Sequence, residues 1–267
     1  MPTLRSSDAQ LFYEAAGDGP PVVLLHPFPL NHKFWTRVAE PLSTCYRLIM
    51  PDLRAHGDSE AGEGPATMEK MAADLAALCR QERIAKAFFV GVSIGGYVLL
   101  EFWRLYHDHV SALVLANTRA ASETAEGRAN RLAIAAKVLR EGTAGFIAET
   151  LPKLMSPVTL DNRPDLVDSA RGMMQQMSPQ DIAAVQQGMA DRPDSIATLN
   201  TIDVPTLIIA GEDDSIPRAE FELMRQLIPT SLLQVVPRAG HYAALEQPED
   251  FARLLRSFFG NLKRKQS

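Results

Sequence analysis

Residues 87–96 read Ala87-Phe88-Phe89-Val90-Gly91-Val92-Ser93-Ile94-Gly95-Gly96. The first half is a continuous apolar run, the pattern of a strand buried on both faces of a parallel sheet. The second half is Gly-x-Ser-x-Gly followed by another glycine and then a helical stretch to Tyr106. A strand that turns sharply into a helix needs small residues beside the central serine. Such a corner lifts the Ser93 hydroxyl to the carboxyl edge of the sheet. It also sets it at a helix N-terminus, where amide dipoles favour developing negative charge.

Outward from this corner, strand-like and helix-like segments alternate. Gln10 to Ala15 reads as a short strand, Pro21 to His26 as a buried strand, Tyr46 to Met50 as a repeat of that pattern, and Val110 to Ala116 as another strand. Met71, Leu75 and Leu78 recur at helical spacing between Met68 and Gln81. From about Arg119 to Asn200 no strand is legible. Some four helical stretches follow one another there, punctuated by Pro152, Pro157, Pro164, Pro179 and Pro193. The alternation resumes with Val204 to Ala210, a helix from Arg218, a strand from Leu232 to Val236 and a last helix from Pro248. The expected organisation is an α/β core formed by residues 1–118 and 201–267, interrupted by a helical cap at 119–200.

The 267 residues carry 27 basic and 32 acidic side chains, a net charge of −5. No basic excess is available to neutralise phosphates, so nucleic-acid binding is disfavoured. Cys45 and Cys79 are too few for a disulfide framework and read as two buried free thiols. The start, Met1 to Asp8, has no apolar segment of the signal type, and no apolar run reaches 18 residues. A cytoplasmic protein without membrane contact is the expectation. The basic tail Leu262-Lys263-Arg264-Lys265 reads as a solvated helix end. No His-x-x-x-His or Cys-x-x-Cys spacing suggests a metal site, and no cofactor is expected.

Five landmarks in order make the chain resemble the α/β-hydrolase superfamily over nearly its whole length. They are Leu25-His26-Pro27-Phe28, Asp52 to Ser59, the serine corner, Gly211-Glu212-Asp213-Asp214, and Ala239-Gly240-His241. Within that superfamily it is similar to the cap-bearing serine hydrolases that include 3-oxoadipate enol-lactonases, esterases and cofactor-free perhydrolases. A mostly parallel sheet with helices on both faces and an all-helical cap is then implied. A serine at the corner points away from the dehalogenases and epoxide hydrolases of this fold, which use aspartate there.

The resemblance also implies site residues. A serine hydroxyl needs a base within hydrogen-bond reach, and His241, in a loop just past a strand, is the candidate among six histidines. His26 and His56 belong to structural landmarks, and His107 and His109 fall at the opposite sheet edge. The supporting carboxylate should follow the strand ending at Ala210. Spacing from Gly211 selects Asp214, whereas spacing to Pro217 selects Asp213; the former is favoured because the glycine marks where the chain leaves the strand. The oxyanion donors would be the backbone N–H groups of Ile94 and Phe28. Pro27 stands where the family usually has glycine, and Pro27 and Pro29 would hold Phe28 extended. Asp52, Arg54, His56 and Gly57 read as a structural turn. Trp35, Phe146, Met155 and Met177 are candidates to line an apolar pocket, the last three within the cap.

The expected activity is hydrolysis of a small-molecule carboxylic ester or lactone through an acyl-enzyme. Perhydrolase or C–C bond hydrolase chemistry with the same three residues, or a slow-turnover small-molecule receptor, are the alternatives. Substrate identity and oligomeric state are not legible.

Overall fold

The computed structural model describes residues 3–264. Met1 and Pro2 of the leading segment, and Lys265 of the basic tail, lie outside the described residues. Eight strands form one sheet: β1 (Thr3–Ser6), β2 (Ala9–Ala16), β3 (Pro21–Leu25), β4 (Arg47–Pro51), β5 (Ala87–Val92), β6 (Val110–Ala116), β7 (Thr206–Gly211) and β8 (Ser231–Val236). Their spatial order is β1-β2-β4-β3-β5-β6-β7-β8. β1 and β2 pair antiparallel, as do β2 and β4, and every pair from β4 onward is parallel.

The apolar runs account for this arrangement. β5 is buried at all six positions, and β7 likewise. A strand with both faces covered gains about 1.5–3 kcal/mol for each large apolar side chain it buries. β1 escapes a reading from sequence because Thr-Leu-Arg-Ser is four residues long and buries only Leu4 and Ser6.

Short α1 (Thr36–Leu42), α2 (Met68–Gln81), α3 (Ile94–Tyr106), α10 (Arg218–Leu227), α11 (Ala243–Glu246) and α12 (Pro248–Arg264) flank the sheet. α2 begins where the Thr67 hydroxyl accepts the Lys70 N–H, and it buries Met71, Leu75 and Leu78. Between β6 and β7 lie six helices: α4 (Ala125–Glu141), α5 (Ala144–Leu154), α6 (Pro157–Asn162), α7 (Pro164–Met174), α8 (Pro179–Ala190) and α9 (Ile196–Leu199). Pro157, Pro164 and Pro179 each open a helix, where a missing N–H costs nothing. α6 and α9 span six and four residues, too short for a helical period to register, so four helices are legible where six form.

One expectation is corrected here. Cys79 is buried on α2, but Cys45 is exposed. It sits in the turn after α1, where its N–H bonds the Leu42 carbonyl and leaves the side chain at the surface.

Candidate active site

Parallel strands send their carboxyl ends to one edge, and the loops leaving β3, β5, β6, β7 and β8 meet there. Ser93 occupies the corner between β5 and α3, with φ 55° and ψ −114°. A side-chain-bearing residue rarely takes this conformation, and several contacts hold it in place. The Ser93 N–H bonds Ala116 O at 3.0 Å, and the Thr118 hydroxyl donates to Ser93 O at 2.8 Å. The neighbouring glycines are sterically required. A Cβ on Gly91 would stand 2.5 Å from the Gly95 carbonyl, and one on Gly96 would stand 2.5 Å from the Thr118 hydroxyl.

His241 follows β8, and its Nδ1–H donates to Asp214 Oδ1 at 2.9 Å. Asp213 instead projects as an exposed residue while its N–H bonds Ala239 O. Asp214 accepts two further bonds, from Asn117 Nδ2 at 2.7 Å and from the Ile216 N–H at 3.1 Å. Burial works against the Asp214 carboxylate, but His241, Asn117 and Ile216 together hold it below the ordinary aspartate range. With Nδ1 engaged, Nε2 is the ring nitrogen of His241 that remains available. Among the described residues, Ser93 Oγ and His241 share the edge without a hydrogen bond between them.

Two residues at this edge escape sequence reasoning. Asn117, fully buried at the end of β6 with φ 46°, bonds both Asp214 and, at 3.3 Å, the Gly240 carbonyl beside His241. Buried Glu246 accepts the Gly240 N–H at 2.9 Å and the Ser156 N–H at 2.8 Å, tying the His241 loop to the helical insertion. The only sequence signal for either is a polar residue directly after an apolar strand or inside an apolar helix.

Phe28 lies in the loop after β3. Pro27 O accepts both the Leu30 N–H at 2.9 Å and His26 Nδ1–H at 3.1 Å. His26 Nε2 in turn accepts the Leu53 N–H at 2.9 Å, so the ring is neutral with its proton on Nδ1. Pinning the Pro27 carbonyl fixes the trans peptide plane that carries the Phe28 N–H and aims that N–H the opposite way. The Phe28–Pro29 bond is cis, and the Tyr242 hydroxyl donates to Phe28 O. Neither the Phe28 nor the Ile94 N–H has a partner among the described residues.

The other predicted residues divide. Phe146 of α5 brings its ring to 5.9 Å from that of Phe28, and the Met155 backbone abuts Gly240, the residue before His241. Met177 is buried between α7 and α8, next to Gln176, whose side chain accepts from Asn31 of the β3 loop. Trp35 is fully buried, with its ring against Phe34 and against Phe251 of α12.

The Asp52 segment is tied into the scaffold. Asp52 accepts the N–H groups of His32 and Asp58, and Arg54 is held bidentate by Asp74. A Cβ on Gly57, at φ 54°, would collide with the Asp52 carboxylate. His107 and His109 lie at the opposite edge, ahead of β6. Among the described residues no three His, Cys, Asp or Glu side chains converge as a metal-ligand set, and no helix is long and apolar enough to cross a membrane.

A family model described as the alpha/beta hydrolase fold matches residues 20–248. The chain belongs to the α/β-hydrolase family. Among solved structures, this hydrolase is similar to a thermophilic esterase from Thermogutta terrifontis, solved with malate bound. The two share 38% identity over 97% of each chain, with a TM-score of 0.94. It is 28% identical to 3-oxoadipate enol-lactonase 2 of Acinetobacter baylyi, over 93% of this chain and 92% of the relative. It is 30% identical, over 94% and 95%, to a Bacillus subtilis protein that carries the name of a 2-succinyl-6-hydroxy-2,4-cyclohexadiene-1-carboxylate synthase.

Proposed function

We propose that this hydrolase cleaves carboxylic esters or lactones through an acyl-enzyme on Ser93, with His241 as base and Asp214 as its support. The observation that carries the reading is the His241–Asp214 hydrogen bond at the same sheet edge as Ser93 in its strand-to-helix corner.

On this reading Ser93 Oγ attacks the carbonyl carbon while His241 Nε2 takes the hydroxyl proton. The developing imidazolium is stabilised by Asp214, and the oxyanion by the N–H groups of Phe28 and Ile94. Collapse breaks the ester C–O bond, and the departing oxygen receives the proton from His241. Water, activated by the same imidazole, then adds to the acyl carbon and restores Ser93. In a lactone the departing oxygen stays tethered to the acyl group. The insertion, through Phe146 over Phe28 and Met155 against Gly240, would cap this site and shape its acyl end.

The esterase and enol-lactonase relatives support the substrate class. A fluorophosphonate probe with peptide mass mapping tests the nucleophile: one equivalent on Ser93, with turnover of p-nitrophenyl esters abolished in parallel, is expected. Labelling elsewhere, or turnover that survives labelling, would overturn it.

A further inference from the structure

The junction between the insertion and the core holds a concentration of positive charge, part of it buried, that the reaction above does not use. Arg119, Arg131 and Arg192 converge on one carboxylate, Glu123. Arg119 Nη2 lies 2.8 Å from Glu123, Arg131 Nε 2.9 Å and Arg192 Nε 3.7 Å. Arg131 also donates to buried Gln186 at 3.1 Å. The Arg192 side chain is 2% exposed, and its Nε has no hydrogen-bond acceptor among the described residues. Its Nη2 donates to Ala121 O. Nearby Asp194 hydrogen-bonds the N–H groups of Ser122 and Ile196 and reaches Arg192 only through its charge, the weaker of these interactions. Burial works against the Arg192 cation, and Arg119 and Arg131 add to that; Tyr97 and Glu123 offset it only in part, so it is held below the ordinary arginine value. Arg192 is buried while Arg119 and Arg131 are partly exposed, and the three guanidinium groups share the one carboxylate of Glu123; the buried Arg192 cation is costly unless an anion completes it.

The cluster is rooted beside the nucleophile. Arg119 follows Thr118, whose hydroxyl bonds Ser93 O, and lies two residues from Asn117, which holds Asp214. The Arg192 guanidinium sits 4.1 Å from the centroid of the Tyr97 ring, one helical turn along α3 from Ser93. Arg119 remains 30% exposed, so an anion can reach it.

We infer that Arg119 and Arg192 form a subsite for a carboxylate carried by the substrate, so that the ester or lactone turned over is itself an organic acid. This rests on the hydrolase reading of Ser93, and its test separates the two. Titration calorimetry on the Ser93→Ala chain would compare monomethyl glutarate with dimethyl glutarate. The acid should bind at least tenfold more tightly, and Arg119→Gln should erase the preference; Arg192→Met should do the same if that chain folds. Equal binding of the two esters, or a preference that survives Arg119→Gln, would overturn the subsite.

With the active enzyme, the ratio of kcat/KM for the acid ester over the neutral one should fall about 10- to 100-fold in Arg119→Gln, mainly through KM. Carboxylate-selective binding without turnover of any ester would leave the subsite standing and remove the hydrolase reading. Inorganic phosphate should compete with the acid ester. If phosphate instead changes the rate on the neutral ester without competing, the cluster is a separate anion site and the inference fails.

Discussion

Asn117 Nδ2 lies 2.7 Å from Asp214 Oδ2, on the oxygen that His241 does not use. The same amide reaches the Gly240 carbonyl, so one buried side chain just after β6 spans the loops after β7 and β8. If this bond orients the carboxylate, Asn117→Gly, which tolerates φ 46°, should lower kcat about tenfold with little change in KM. Asn117→Asp, which sets a second carboxylate beside Asp214, should cost more. Steady-state kinetics on a short p-nitrophenyl ester reads both, and equal losses in kcat and in thermal stability alone would reduce Asn117 to packing.

Glu246 makes a separate link. Its two oxygens satisfy the N–H groups of Gly240 and Ser156, both buried. Glu246→Ala leaves two buried donors unmet, a loss of about 2–4 kcal/mol, whereas Glu246→Gln keeps one good acceptor and should lose less. Chemical denaturation of the two variants checks the order.

Gly91 faces the backbone of Gly95 and Gly96 across the serine corner. Gly91→Ala should destabilise the chain by about 1–3 kcal/mol and displace Ser93. The expected result is a lowered Tm together with a larger fall in esterase rate than Ala substitution at solvent-facing Gly145 produces.

Two buried histidines set the acid side of the stability curve. Burial, with His56 adding to it, holds His26 down to about 3, and burial holds His56 down to about 4. In the unfolded chain these rings take up protons below about pH 6.5, while the folded chain resists until much lower. Their contribution is therefore complete above pH 6.5 and is lost as pH falls toward 4, by up to about 1.4 kcal/mol per ring and pH unit. Tm measured from pH 7.5 to 4.5 should fall across this window, and His56→Gln should flatten the fall. A Tm independent of pH between 6.5 and 5 would contradict it.

The readable parts of this molecule are those whose cause is local. The apolar run of β5, the glycines that let it turn at Ser93, and the prolines that open α6, α7 and α8 all carry their reasons within a few residues. The choice between Asp213 and Asp214 is not local: it turns on which carboxylate meets His241, 27 residues away. Asn117 and Glu246 are less legible still, because their partners lie 97 and 90 residues along the chain and nothing in their own neighbourhoods requires an amide or a carboxylate. Trp35 is a further case, since its ring packs against Phe251 of the last helix, a contact that nothing in its own neighbourhood announces.

The central claim is that Ser93 forms the covalent intermediate, and Ser93→Ala tests it most directly. Turnover of p-nitrophenyl acetate and butyrate should fall by roughly 10⁴-fold or more, with an unchanged circular dichroism spectrum. A folded Ser93→Ala chain that retains wild-type turnover would contradict the account.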